Sequence, residues 1–160
     1  MSTATSILDD RHEAIVQAFA DALDTMGFMF AEPAEEVPFA PDDALRVRME
    51  FRATEDAELA GVFELSTSRT FATLLTANVL GCDPIDLDDT AIFDCAKELI
   101  NVAVGAFTPL LSDDPAQTFV LTPPTIETID GDAWQDAVYA GDAVCLTSDG
   151  EPLVVRVIAA

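Results

Sequence analysis

Hydrophobic and polar positions alternate in two distinct rhythms along this chain. From Ile7 to Met26 the apolar residues Leu8, Ile15, Phe19, Ala22, Leu23 and Met26 recur at helical spacing, which predicts an amphipathic helix. Gly27 stands where a glycine helps to end one. Phe28 to Asp43 mixes Pro33, Pro38 and Pro41 with Glu35 and Glu36 and reads as a loop. The rhythm then switches to period two. Leu45, Val47, Met49 and Phe51 point one way and Arg46, Arg48 and Glu50 the other, with Arg52 extending the polar row, so this segment is a strand. Gly61 to Leu65, after a short acidic turn, reads as its hairpin partner.

The helical period returns at Arg69 to Leu80, with Ser68 placed to cap it and Gly81 and Pro84 to terminate it. Asp83, Asp86, Asp88 and Asp89 follow. A calcium loop would need a central glycine and a final glutamate that are missing here. Capping explains the acids better: Asp88 or Asp89 can satisfy free N–H groups at the start of the next helix. That helix occupies the apolar segment Ala91 to Leu111. Thr118 to Leu121 and Thr125 to Ile129 read as extended, bent by Pro123 and Pro124. Ala143 to Thr147 and Leu153 to Ile158 predict a hairpin around Asp149-Gly150. Trp134 and Tyr139 fall in the connection, as anchors of a core or interface. The expected class is α+β, with three principal helices and five or six strands in a mainly antiparallel sheet, forming one domain over residues 1–160.

The third helix carries the most informative residues. Asp94, Glu98, Asn101 and Gly105 fall within an arc of roughly 60° at the helical angle of about 100° per residue. Ile92, Ala96, Leu99, Ile100, Ala103 and Phe107 lie opposite, and Lys97 flanks the strip. Such a strip is commonly just a solvated helix face. Gly105 argues for more, because a glycine inside a helix costs about 1 kcal/mol relative to alanine and suggests close approach of another group. Helix packing within the chain and a docking partner explain it equally well.

Composition narrows the function. Thirty acidic residues against seven basic ones give a formal net charge of −23, which makes nucleic-acid phosphate or an anionic membrane a poor partner. No apolar run reaches the length of a membrane span, and Met1 to Asp10 lacks the features of a secretory signal. Cys82, Cys95 and Cys145 lack metal-ligand spacing, and reduced thiols in the cytoplasm account for them simply. His12 is the only histidine, so a histidine-based triad or multi-histidine metal site has little support. Arg46, Arg48 and Arg52 can form an anion site, but a solvated sheet face balancing nearby carboxylates is the commoner use of such a row. A self-contained hydrolase using Asp94 and Glu98 would need a cleft that one helix face does not supply.

Asp94, Glu98, Asn101 and Gly105 match the D/S-x3-E-x2-N-x3-G signature of the CheC/CheX/FliY phosphatases of bacterial chemotaxis, and the chain resembles that family over most of its length. The strand pair, the glycine-closed helix, the motif helix, Thr122-Pro123-Pro124-Thr125 and the terminal hairpin follow the family's order. CheC-like members carry the signature twice. Here Val16 stands where an asparagine would be needed relative to Glu13, so one motif remains and the chain is most similar to CheX.

The resemblance implies hydrolysis of the aspartyl phosphate on a CheY-like response regulator. Glu98 would pair with the regulator's lysine, and Asn101 would hold the attacking water. Asp94 and Gly105 would frame the helix. It implies no cofactor on this chain, Mg²⁺ on the regulator and a homodimer built through edge strands. A non-catalytic adaptor binding a regulator or flagellar-switch component is the rival. The acidity implies weak, salt-dependent docking to an acidic regulator.

Overall fold

The computed structural model describes residues 12–159. The first helix, α1, runs from His12 to Gly27 and buries Ile15, Ala18, Phe19, Ala22 and Leu23. Leu8 and the start predicted at Ile7 lie outside the described residues. Gly27 is not the left-handed terminator. Phe28 takes that conformation at φ 52°, while a Cβ on Gly27 would stand 2.9 Å from Leu75 Cδ1. The glycine therefore serves close helix packing, and the Asn78 amide donates to the Gly27 carbonyl at 3.1 Å.

The predicted strand pair forms β2 (Ala44–Ala53) and β3 (Ala60–Ser68), in antiparallel register with Val47 opposite Leu65 and Phe51 opposite Gly61. Helix α2 (Arg69–Leu80) starts at Ser68, whose hydroxyl accepts from the Phe71 N–H, and closes on Gly81 at φ 64°. Helix α3 (Asp89–Phe107) starts at Asp88, whose carboxylate accepts from the Ala91 N–H. A single 3₁₀ turn, Thr108–Leu111, continues it.

Among the described residues seven strands make one antiparallel sheet, one or two more than expected. Besides β2 and β3, these are β1 (Glu32–Pro33), β4 (Phe119–Leu121), β5 (Thr125–Ile129), β6 (Val144–Ser148) and β7 (Glu151–Ala159). Their order is β1-β6-β7-β3-β2, and both β4 and β5 then pair with β2. Pro123 and Pro124 divide what would otherwise be one edge strand. The extra strand β1 lies in the segment expected to be loop throughout. Its two residues seal the outer edge of β6.

Among the described residues three helices cover one sheet face. Leu45, Val47, Met49, Phe63, Leu65, Val155 and Val157 meet Phe19, Leu23, Phe71, Leu75, Leu99 and Ile100 in the main core. Phe107 stacks edge-on against Phe63 at 5.4 Å between centroids. The opposite face holds a smaller core under a fourth helix, α4 (Gly131–Val138), in the stretch read as a connection. Asp130 caps α4, and Trp134 is fully buried against Ala44, Val154, Ala137 and Val138. Its indole N–H donates to the Pro38 carbonyl at 3.1 Å.

That helix changes the environment of the arginine row. Arg46 donates to the Ala133 carbonyl at 3.1 Å and is largely covered, so this half of the outer face is not solvated. Glu64 on β3 is only 3% exposed and collects Arg46 at 3.4 Å, Arg48 at 3.3 Å and Arg156 at 3.8 Å. The carboxylate-balancing reading of the row holds for Arg46 and Arg48, although Arg48, like Arg52 at the end of the row, stays exposed.

Candidate functional site

Asp94, Glu98, Asn101 and Gly105 are all exposed, and Lys97 beside them is half-buried. The opposing stripe of Ile92, Cys95, Ala96, Leu99, Ile100, Ala103, Val104 and Phe107 is buried. Along the helix Glu98 and Asn101 are about 4.5 Å apart in rise and roughly 60° apart in angle, so both side chains serve one small area. Gly105 lies one turn beyond Asn101. Among the described residues, a Cβ at Gly105 would meet nothing within 4 Å. Packing within the described chain therefore does not account for this glycine. What remains is a smooth spot on an otherwise side-chain-covered helix.

The strip is displayed by a firmly held element. At the N-terminal end, Arg69 pairs with Asp89, and its guanidinium lies 5.8 Å from the centre of the Phe93 ring. This contact ties the start of α2 to the first turns of α3. Farther along, the buried Cys95 faces Thr76 of α2, whose hydroxyl donates to the Ala72 carbonyl at 2.6 Å. Burial raises the thiol's pKa above its ordinary value; the nearby Thr76 side chain opposes this, and the negative charge of Glu98 adds to it. Arg69, Phe93 and Thr76 are supporting residues that sequence reasoning did not single out. Phe93 at one turn before Lys97 carried the only usable signal, since a half-exposed aromatic next to the strip is positioned to receive a cation.

Other candidates resolve differently. Asp83 caps the 3₁₀ turn Pro84–Asp86, Asp88 caps α3 and Asp89 pairs with Arg69, so three of the four loop acids have local partners. His12 is exposed at the start of α1. Cys82 is exposed, Cys95 buried and Cys145 half-buried, all as free thiols. Trp134 anchors the second core, whereas Tyr139 stands in solvent.

The motif strip lies on the exposed face of α3. Neither a cleft of about 660 Å³ nor one of about 350 Å³ among the described residues is lined by any of the four motif residues. An exposed pair of polar side chains can orient groups on another surface, but it does not by itself enclose a small substrate.

Searches against family models and curated proteins find no match. Solved structures do match. CheX from Vibrio vulnificus superposes with a TM-score of 0.64 at 13% identity, covering 90% of this chain and 92% of that one. This is the CheX/CheC-like fold. FliY from Thermotoga maritima matches at a TM-score of 0.59 and 15% identity, over 100% of this chain and 92% of its own. The CheX of a Borrelia burgdorferi CheX–CheY–BeF3–Mg complex matches at 0.59 and 16%, covering 91% and 95%. CheC-like proteins from Shewanella and a chain of the H. pylori FliM–SpeE complex share the fold. At such identities the likeness carries the CheX-like architecture, and any reaction has to be argued from the residues on α3. No described helix is long and apolar enough to cross a membrane.

Proposed function

We propose that this chain is a phosphatase that hydrolyses the aspartyl phosphate of a CheY-like response regulator. The observation that carries the proposal is the exposed Glu98/Asn101 pair on a helix whose opposite face is buried in the core of a CheX-like fold. One protein of that fold was solved with CheY bound.

An exposed pair on one helix face needs the other half of its site from a partner. The regulator supplies the acyl phosphate, a lysine and Mg²⁺, which it holds itself; the metal neutralises developing charge on the phosphoryl oxygens. Glu98 pairs with the regulator's lysine and fixes α3 over the phosphoryl group. Asn101 inserts, and its carboxamide holds a water in line with phosphorus. Phosphoryl transfer depends mainly on positioning and electrostatics, so an amide that is not a base can still accelerate it. Asp94 and the bare Gly105 let α3 approach closely.

A homodimer belongs to the same reading. The β4–β5 edge is the better candidate for it, because Glu127 is the only charged residue between Thr118 and Ile129. The reading also places the chain in the cytoplasm with its regulator.

The test follows decay of a purified radiolabelled phospho-regulator with and without the protein. Acceleration over spontaneous loss supports catalysis. Tight binding without acceleration supports the rival, a non-catalytic adaptor, for which the occurrence of this fold in a chain of the FliM–SpeE complex is the favouring observation.

A further inference from the structure

Three phenylalanines stand almost wholly in water: Phe28 and Phe30, each 86% exposed, and Phe39 at 91%. Isolated exposed apolar side chains are ordinary, but several concentrated in one segment mark an interaction surface. All three belong to the connection between α1 and β2.

That connection is pinned at each phenylalanine. Phe28 and Phe30 flank Met29, which is buried and whose N–H donates to the Leu23 carbonyl at 3.2 Å. Phe28 is held at φ 52°, a conformation bulky residues rarely adopt. Farther on, Glu32 and Pro33 pair with β6, and the Ala34 N–H donates to Cys145 at 2.9 Å. Phe39 follows Pro38, whose carbonyl is held by the buried Trp134. The fold thus presents these rings on a fixed frame.

Between this segment and the β6–β7 hairpin runs the cleft of about 660 Å³. Val37, Phe39 and Pro152 give it apolar lining, while Glu32, Glu35 and Glu36 supply carboxylates. From Phe28 to Leu45 the chain carries Glu32, Glu35, Glu36, Asp42 and Asp43, and no Lys, Arg or His.

We infer that the Phe28–Phe39 segment is a docking surface for another protein, through a segment that is both basic and apolar. Charge complementarity selects this occupant. Lysine or arginine heads meet the glutamates and can lie over the phenylalanine rings, while aliphatic side chains enter the cleft. A second copy seated here would set Glu32, Glu35 and Glu36 against the same residues of its partner, with no basic residue of the segment to offset them. An anionic membrane is disfavoured for the same reason. No residue of this surface lies on α3, so the inference stands or falls separately from the phosphatase reading.

The test uses the full chain and a fluorescein-labelled amphipathic helical peptide of leucine and lysine. A peptide of the same composition in scrambled order is the control. Anisotropy should report binding of the amphipathic peptide, at least about tenfold tighter than the scrambled one. Phe28→Ser/Phe30→Ser/Phe39→Ser should weaken it at least about tenfold, and Glu35→Gln/Glu36→Gln should do so independently. Circular dichroism checks that both variants fold; if the triple variant does not, the double variant carries the test. Absence of binding overturns the inference outright, and binding unchanged in the folded variants overturns it by reducing it to general attraction to an acidic protein. So does sedimentation showing a dimer that the phenylalanine substitutions dissolve, because a second copy then covers the surface.

Discussion

Replacing Gly105 by alanine should raise stability and lower activity at once. The Cβ meets no described atom within 4 Å, so the methyl group brings no clash inside the molecule. Glycine in a helix interior is disfavoured by about 1 kcal/mol relative to alanine, chiefly through the entropy of the unfolded chain. Gly105 lies in the last turn of α3, so the gain is up to about 1 kcal/mol. In a domain of this size that corresponds to a rise in Tm of about 2–4 °C. If the regulator's surface packs against the bare backbone, the same methyl overpacks that interface. A cost of about 1–3 kcal/mol there lowers kcat/KM roughly 5- to 150-fold. Differential scanning calorimetry reads the first effect, and phospho-regulator decay at limiting enzyme reads the second. A lower Tm would mean that Gly105 is packed within the chain. A higher Tm with unchanged kcat/KM would remove close approach as the reason for the glycine.

Other substitutions probe the scaffold. Glu64→Gln removes the charge shared by Arg46, Arg48 and Arg156. Because these arginines keep some solvent contact, the loss should be about 2–3 kcal/mol, at or below the range for breaking a buried pair, measured by urea denaturation. Gly61→Ala would put a Cβ 2.4 Å from the Ile158 carbonyl and 2.9 Å from the Phe51 ring, so β3 must shift. Its chevron should show a loss of several kcal/mol, on the order of 3 or more. Among the thiols, Cys82 should react first with iodoacetamide and Cys95 far more slowly. Since burial raises the Cys95 pKa, its protonated form is favoured in the fold, and stability should fall as pH rises through the ordinary thiol range. Cys95→Ser should reduce that alkaline slope.

The parts of the fold legible in the chain are those where one periodicity dominates. Leu45 to Phe51 alternate without interruption, and β2 follows that pattern residue by residue. Ser68, Gly81 and Asp88 have their capping geometries because each satisfies a local backbone need. Helix α4 was harder to see. It has eight residues and begins with glycine, so its stability comes from burying Trp134, Ala137 and Val138 on a distant sheet face. The i, i+3, i+4 spacing of those residues after Asp130 was the available signal.

Missing α4 also concealed the burial of Arg46 and Glu64, which depends on what covers the sheet. Gly27 shows a related limit: its position fits a helix terminator, but contact with Leu75 decides its use. On α3 the strip was legible because exposure follows from helical phase alone. Arg69, Phe93 and Thr76 support it through contacts between α2 and α3 that no local pattern contains.

The pairing of Glu98 with Asn101 is tested most directly at Asn101. Single-turnover decay of a radiolabelled phospho-regulator, at saturating enzyme, should be compared for the wild-type protein and Asn101→Ala. Saturation separates the chemical step from docking, and Asn101 is exposed, so the fold should be unaffected. Loss of a positioned water predicts a fall of about 100-fold in the maximal rate, with little change in the concentration needed for half-saturation. A variant as fast as wild type, or a wild-type protein no faster than spontaneous decay, would contradict the account.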